Sequence, residues 1–343
     1  EQQEQDSLFS RCKDAWLLNV SEHEFCDLLS DTLDESSALA LFEQLRDFKG
    51  QLSRHRIGQR GEDTLAKLMP EMIYYMLRQC PTDITLLLPR LISVIGAITG
   101  RTTYLDLLHE NPDVLKQLIK LCARSAWITE QIRSFPLLLD ELLTPLYLQQ
   151  QQTSLPVVYD EYSDELRQNL LRVEPEDTEL LMEQWRQFKL CQQLRIAASD
   201  ISGSLPIAKV SDKLTVLAEV LLQAVFKSAW QQLTDKFGVP SHLQQDETGF
   251  LVVGYGKLGG YELGYGSDLD LVFIHNAPQD SETSGAKKVS AQHFYIKLAQ
   301  RIMHLLNTRT LSGQLYEADL RLRPSGNSGL LCCHLTGFEH YQE

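Results

Sequence analysis

Gly254-Tyr255-Gly256-Lys257-Leu258-Gly259-Gly260 follows Phe250-Leu251-Val252-Val253 directly and is succeeded by Ser267-Asp268-Leu269-Asp270-Leu271-Val272-Phe273-Ile274. The two apolar runs are rich in branched and aromatic residues and read as strands. The glycine stretch between them has the composition of a phosphate-cradling loop, because glycine lets backbone N–H groups come close to phosphate oxygens. It also fits the dinucleotide fingerprint G-x-G-x-x-G at Gly254, Gly256 and Gly259. That fingerprint needs a crossover of about a dozen residues between parallel strands, yet only Gly260 to Ser267 separates loop from strand. It further wants an acidic residue about 20 positions on, where this chain has His275-Asn276. A P-loop fails as well, since Leu258 follows Gly256-Lys257 where Ser or Thr should meet Mg2+.

The alternation of Ser267-Asp268-Leu269-Asp270-Leu271 sends Asp268 and Asp270 to one face and Leu269 and Leu271 into the core. Neighbouring carboxylates repel and resist ionising unless a cation lies between them. Their hard oxygens suit Mg2+ or Mn2+ held jointly with the phosphates of a nucleotide. An isolated D-x-D is more often the solvated edge of a strand. A further alternating stretch over Gln314 to Arg323, containing Tyr316-Glu317-Ala318-Asp319-Leu320-Arg321-Leu322-Arg323-Pro324, changes that balance by placing Glu317, Asp319 and Arg321 on one face. Asp319 then completes a three-carboxylate cluster, fit for two cations about 4 Å apart that activate an attacking oxygen and steady a leaving pyrophosphate. Arg321 and Arg323 either neutralise phosphates or pair with surface carboxylates.

The expected site therefore takes Asp268, Asp270 and Asp319 as catalytic and metal-binding residues. Gly256, Lys257, Gly259, Gly260, Ser267, Arg321 and Arg323 are the expected nucleotide-binding residues. His293 and His304 on a helix, and Cys332-Cys333 in a strand, lack partners at metal-ligand spacing and read as structural. No Ser or Cys shows the elbow or neighbouring base of a covalent nucleophile.

Upstream, from Ser7 to about Leu233, apolar residues recur three and four apart, which predicts helices. The clearest begins at Ser211 as N-cap, carries Leu214, Leu217, Ala218, Leu221 and Val225 on one stripe, and stops near Gly238-Val239-Pro240. Breakers stand at Pro112, Pro156 and Pro175, and the Gln-rich stretch Gln149 to Pro156 reads as a loop or linker. Ala286 to Asn307 returns to helical spacing. The expected fold is α+β, with a helical domain over 1–238 and a catalytic α/β domain with a small mixed sheet over 239–343.

Thirty-two Lys and Arg stand against 46 Asp and Glu, for a net charge of −14 across 343 residues. That balance opposes an extended grip on nucleic acid. The longest uninterrupted apolar runs, such as Leu86–Leu88, fall far short of the ~20 residues that span a bilayer, so no membrane association is expected. The polar start at Glu1 to Asp6 has no secretion-signal pattern. Seven scattered cysteines suit reduced thiols, which indicates a cytoplasmic protein without a disulfide framework. The missing initiator Met indicates a piece of something longer.

Taken together, Gly-Tyr-Gly-Lys-Leu-Gly-Gly (254–260), Ser-Asp-Leu-Asp-Leu (267–271) and Tyr-Glu-Ala-Asp-Leu-Arg-Leu-Arg-Pro-Ser-Gly (316–326) resemble the active site of the glutamine synthetase adenylyltransferase family. Phe135 to Leu143 and Arg195 to Ile201 resemble family segments outside it. The family lies in the DNA polymerase β-like nucleotidyltransferase superfamily, whose Gly-Gly turn, D-x-D and third carboxylate are matched by Gly259-Gly260, Asp268, Asp270 and Asp319. The resemblance is to the C-terminal, AMP-adding unit of an enzyme that also has an AMP-removing unit. It implies transfer of AMP from ATP to a tyrosine of glutamine synthetase, regulation by glutamine and a PII-type signal protein, and a catalytic domain truncated here, with helices continuing past Glu343. Two other readings follow from it: a regulatory docking module for those proteins, and phosphorolytic deadenylylation.

Overall fold

The computed structural model of the chain describes residues 2–17, 20–54, 57–145 and 154–342. They fall into two compact units, Glu1–Gln149 with Ala197–Ser202, and Gln150–Ile196 with Gly203–Glu343.

The first unit is built from α1 (Gln2–Leu17), α2 (Glu22–Leu29), α3 (Glu35–Leu52), α4 (Gln59–Gln79), α5 (Ile84–Ile98), α6 (Thr102–Glu110), α7 (Pro112–Arg124) and α8 (Ala126–Ser134). Their starts follow from sequence chemistry. Ser21 and Glu24 form a reciprocal capping box at α2, and Asp34 caps α3 through the Ser37 N–H. Pro112 opens α7 rather than merely interrupting the chain, because its missing N–H is unneeded in a first helical turn. Leu87, Leu88, Leu91, Val94, Ile95 and Ile98 of α5 are buried, and this helix packs on α3, α7 and α8. The stretch Pro81–Ile98 is apolar and long enough to cross a bilayer by length and composition alone. A count of uninterrupted runs overlooks it because Arg90 and Ser93 divide it.

In the second unit α9 (Leu155–Leu170), most of α10 (Thr178–Ser202) and α11 (Ile207–Phe237) join the strands in one body. The change of texture at Gly238 is a switch of secondary structure inside the second unit. Residues 149–153 of the predicted loop lie outside the described residues, and Leu155 and Pro156 already form the first turn of α9. Helix α11 begins at Ile207, one turn before Ser211, with Pro206 in extended conformation as its N-cap.

The strands are β1 (Phe250–Tyr255), β2 (Leu269–His275), β3 (Arg309–Thr310), β4 (Gly313–Gln314), β5 (Ala318–Asp319) and β6 (Cys332–His334), interspersed with α12 (Gly256–Gly259), α13 (Ala291–Asn307) and α14 (Leu335–Gln342). β1 runs antiparallel to β2, from Phe250 opposite His275 to Tyr255 opposite Asp270. β5 and β6 both pair with β2 in parallel, and β3–β4 is a separate hairpin. The antiparallel β1–β2 pair has no place for a dinucleotide crossover. Leu269, Leu271, Val272 and Phe273 are buried, each worth about 2 kcal/mol of transfer free energy. The Phe250 ring stacks on Phe226 of α11 at 5.7 Å and on Tyr295 of α13 at 6.0 Å, which fastens the sheet to both helices. All seven cysteines are free thiols.

Candidate active site

The site stands where β1 ends and β2 begins. Leu269 and Leu271 are anchored in the core, so the alternate residues Asp268 and Asp270 are held away from it. Parallel pairing of β2 with β5 sets Asp319 opposite Asp270, and the Leu269 N–H donates to Glu317 O at 2.9 Å. The result is that carboxylate oxygens of Asp268, Asp270 and Asp319 all lie within 4.8 Å of one another.

The glycine segment forms one helical turn instead of an open loop. Gly260 N–H donates to Gly256 O at 3.0 Å, and Glu262 N–H to Lys257 O at 2.8 Å. Gly259 approaches Gly254 O so closely that a Cβ would sit 2.6 Å from it. Ser267 Oγ accepts from Gly264 N–H at 2.9 Å, which shapes the approach to Asp268 and leaves the hydroxyl proton for another acceptor. Tyr261, at φ 58°, turns out of the helical turn and donates to Glu219 of α11.

The segment after β5 is short for a physical reason. Arg321 N–H donates to Asp319 Oδ1 at 2.8 Å and its Nε to Oδ2 at 2.6 Å. The first of these closes a local turn that ends the strand after Asp319, so the alternation expected up to Arg323 stops there. Arg323 then turns inward and is buried, donating to Leu320 O at 2.9 Å, Asn327 O at 3.2 Å and Gly329 O at 3.4 Å. Its guanidinium thus holds the following loop, while the residue still borders the cleft beside Asp319. Asp268, Glu317, Asp319, Arg321, Asn327 and Met303 border a cleft of about 550 Å³ beside the cluster.

Charge in the cluster is uneven. Burial, then the Asp268 and Asp319 carboxylates, push the Asp270 carboxyl above its ordinary range. The side-chain and backbone hydrogen bonds from Arg321 hold Asp319 below its own. Three carboxylates this close, with one guanidinium gripping Asp319, form a hard-oxygen donor set that fits Mg2+ or Mn2+.

Comparison with known proteins shows the family. Residues 115–343 match the glutamate-ammonia ligase adenylyltransferase family. The chain belongs to that family. A relative from Alteromonas mediterranea, named bifunctional glutamine synthetase adenylyltransferase/adenylyl-removing enzyme, is 62% identical over 339 residues, covering 99% of this chain and 34% of the relative. Relatives of the same name from Shewanella loihica and Pasteurella multocida are 49% and 47% identical over 95% and 92% of the chain. The chain thus spans about a third of the length of these adenylyltransferase relatives, 34%, 34% and 31% respectively.

Met303, Asn327 and Leu331 line the cleft without belonging to any motif. Asn327 follows a turn in which Ser325 takes the left-handed φ of 62°, and only Pro324 and Gly326 announce that turn in the sequence.

Proposed function

We propose that this chain transfers AMP from ATP to a tyrosine of glutamine synthetase and releases pyrophosphate, lowering the activity of the target. The observation that carries the reading is the convergence of Asp268, Asp270 and Asp319 beside the Gly256–Gly259 turn. Asp268, Asp270 and Asp319 would hold the divalent cations. Mg2+ or Mn2+ bound there would offset triphosphate charge and favour loss of the acceptor proton.

The chain's own groups divide the remaining work. The turn from Gly256 to Gly260, with Lys257 and Ser267, would position the triphosphate. Arg321, whose side chain is 73% exposed, can swing from Asp319 to a phosphate without disturbing packed atoms. In the reaction the tyrosine oxygen bonds to the α-phosphorus, the bond from that phosphorus to the bridging β-phosphate oxygen breaks, and the phenolic proton passes to a carboxylate. A tyrosine of pKa near 10 needs such an acceptor. Asp319 fills that role once Arg321 has left it, since the guanidinium otherwise depresses its basicity.

Family resemblance supports glutamine and a PII-type signal protein as regulators, and the free thiols support a reducing, cytoplasmic setting. The test is to incubate the chain with α-labelled ATP, Mg2+ and glutamine synthetase. Label on a target tyrosine together with pyrophosphate supports AMP transfer. Absence of label from a preparation that binds MgATP contradicts it. The removing reaction named for the relatives would instead consume phosphate and yield ADP from adenylylated target.

A further inference from the structure

Helix α10 carries two cationic side chains that the chemistry above does not use. Arg186 is 1% exposed. It donates from Nη1 to Met182 O at 2.8 Å, from Nε to Gly313 O at 2.9 Å, and from Nη2 to Leu305 O at 3.0 Å and to Thr308 O. One turn further, Lys189 Nζ donates to Leu315 O at 2.5 Å and lies 4.1 Å from the centre of the Tyr316 ring. One turn before Arg186, Glu183 accepts from the N–H and Oγ of Ser312. At the other end, Gln193 Nε2 donates to Tyr265 O at 3.1 Å. Residues 183, 186, 189 and 193 lie on one helical face.

The partners outside α10 fall in two places. Leu305, Thr308, Ser312, Gly313 and Leu315 belong to the connection that leads from α13 through the β3–β4 hairpin into Asp319. Tyr265 belongs to the loop that leads into Ser267 and Asp268. β5 itself is two residues long, so its ladder with β2 is a weak constraint on where the Asp319 carboxylate stands. Burying cations against carbonyl oxygens is also a poor route to stability, because packed apolar side chains of the same volume commonly do as well or better. What the cations supply is directional: a guanidinium with several acceptors fixes the backbone path of the segment that presents a metal ligand.

We propose that Glu183, Arg186, Lys189 and Gln193 act as a positioning strut, setting the separation of Asp319 from Asp268 and so the cation affinity of the cluster. The strut rests on the reading of Asp268, Asp270 and Asp319 as a cation site. None of its four residues belongs to the carboxylate cluster. Their effect passes through backbone they hold.

The experiment is Mn2+ titration of the chain alone, followed by electron paramagnetic resonance, with thermal melting in parallel. Lys189→Met and Gln193→Ala should weaken Mn2+ binding roughly 10- to 100-fold without lowering the melting temperature, and Lys189→Arg should recover most of the affinity. Arg186→Met should do the same if it folds, and if it does not, the Lys189 and Gln193 variants decide. Asp268→Asn serves as the control that must lose binding. Equal Mn2+ affinity in Lys189→Met, Gln193→Ala and the unsubstituted chain, with Asp268→Asn still deficient, overturns the strut alone. Failure of the unsubstituted chain to bind Mn2+, or full binding by Asp268→Asn, overturns the cation site and the strut with it.

Discussion

Gly256 and Asp270 share a space that admits no further atom: a Cβ on Gly256 would lie 2.2 Å from Asp270 Oδ2. Gly256 also adopts φ 55°, in the left-handed region. The glycine that reads as phosphate-approach chemistry is thus also a packing partner of the central carboxylate, and through it of the whole cluster.

Gly256→Ala is accordingly expected to do two things at once. The left-handed conformation costs about 1–2 kcal/mol for a residue with a Cβ, which denaturant unfolding would register. The methyl group must also displace the Asp270 carboxylate, so Mn2+ binding should fall by an order of magnitude or more. Loss of stability with unchanged Mn2+ affinity would show that the contact does not matter to the site.

Asp270→Asn should stabilise the metal-free chain while removing cation binding, the opposition expected where a functional site stores repulsion. The raised Asp270 carboxyl sets the sign of the pH dependence. Because the folded chain holds this proton more tightly than the unfolded chain, the contribution is complete below the ordinary value of 3.8 and is lost as pH rises through the raised one. Melting curves from pH 3.5 to 7 should therefore show a growing advantage of Asp270→Asn over the parent as pH rises. A constant or shrinking difference would contradict the assignment of strain to this carboxylate.

Arg321→Gln should tighten Mn2+ binding severalfold, since it removes a positive charge that occupies Asp319. The same change should weaken ATP binding in the presence of Mn2+ by roughly tenfold, the worth of one charge-assisted contact to phosphate. Isothermal titration with Mn2+ alone and then with ATP separates the two. Weaker binding of Mn2+ alone would mean that Arg321 shapes Asp319 more than it competes for it.

Lys189 offers a second pH signature. Burial lowers its pKa to about 8 from the ordinary 10.5. Between those values the unfolded chain binds the extra proton, so stability from this group rises with pH across the window and its penalty is full below pH 8. Lys189→Met, which lacks the charge, should be at least as stable as the parent at pH 7, and its advantage should shrink toward pH 9.5. A substitution that destabilises equally at both pH values would indicate that Lys189 is a simple packing residue.

Much of this arrangement is legible in the sequence because the signals are local. The branched runs at 250–253 and 269–274, the glycines between them and the alternation of 267–271 each specify a backbone path within a few residues, and the structure brings the three acidic residues together. Where the reading and the structure part, the cause lies elsewhere in the chain or in a side chain's own turn. The alternation after Ala318 promises a longer strand, but the Asp319 carboxylate captures the Arg321 N–H and ends it. The start of α11 at Ile207 depends on the conformation of Pro206, ahead of the apolar stripe. Nothing local in the sequence marks what Arg186 and Lys189 bind. Only their distant carbonyl acceptors at Leu305, Gly313 and Leu315 reveal Arg186 as buried and Lys189 as half-buried. The grouping of α9 to α11 with the sheet is likewise a matter of contacts such as Phe226 on Phe250, which no local pattern encodes.

The proposed chemistry requires the three carboxylates to hold divalent cations jointly at the triphosphate of ATP. Anomalous diffraction at the manganese edge, from crystals of the chain grown with Mn2+ and a non-hydrolysable ATP analogue, tests it most directly. Manganese peaks are expected within coordination distance of Asp268, Asp270 and Asp319, with the analogue's phosphates on the Gly256–Gly260 side. Bound analogue with its manganese away from these carboxylates, or none at all, would contradict it.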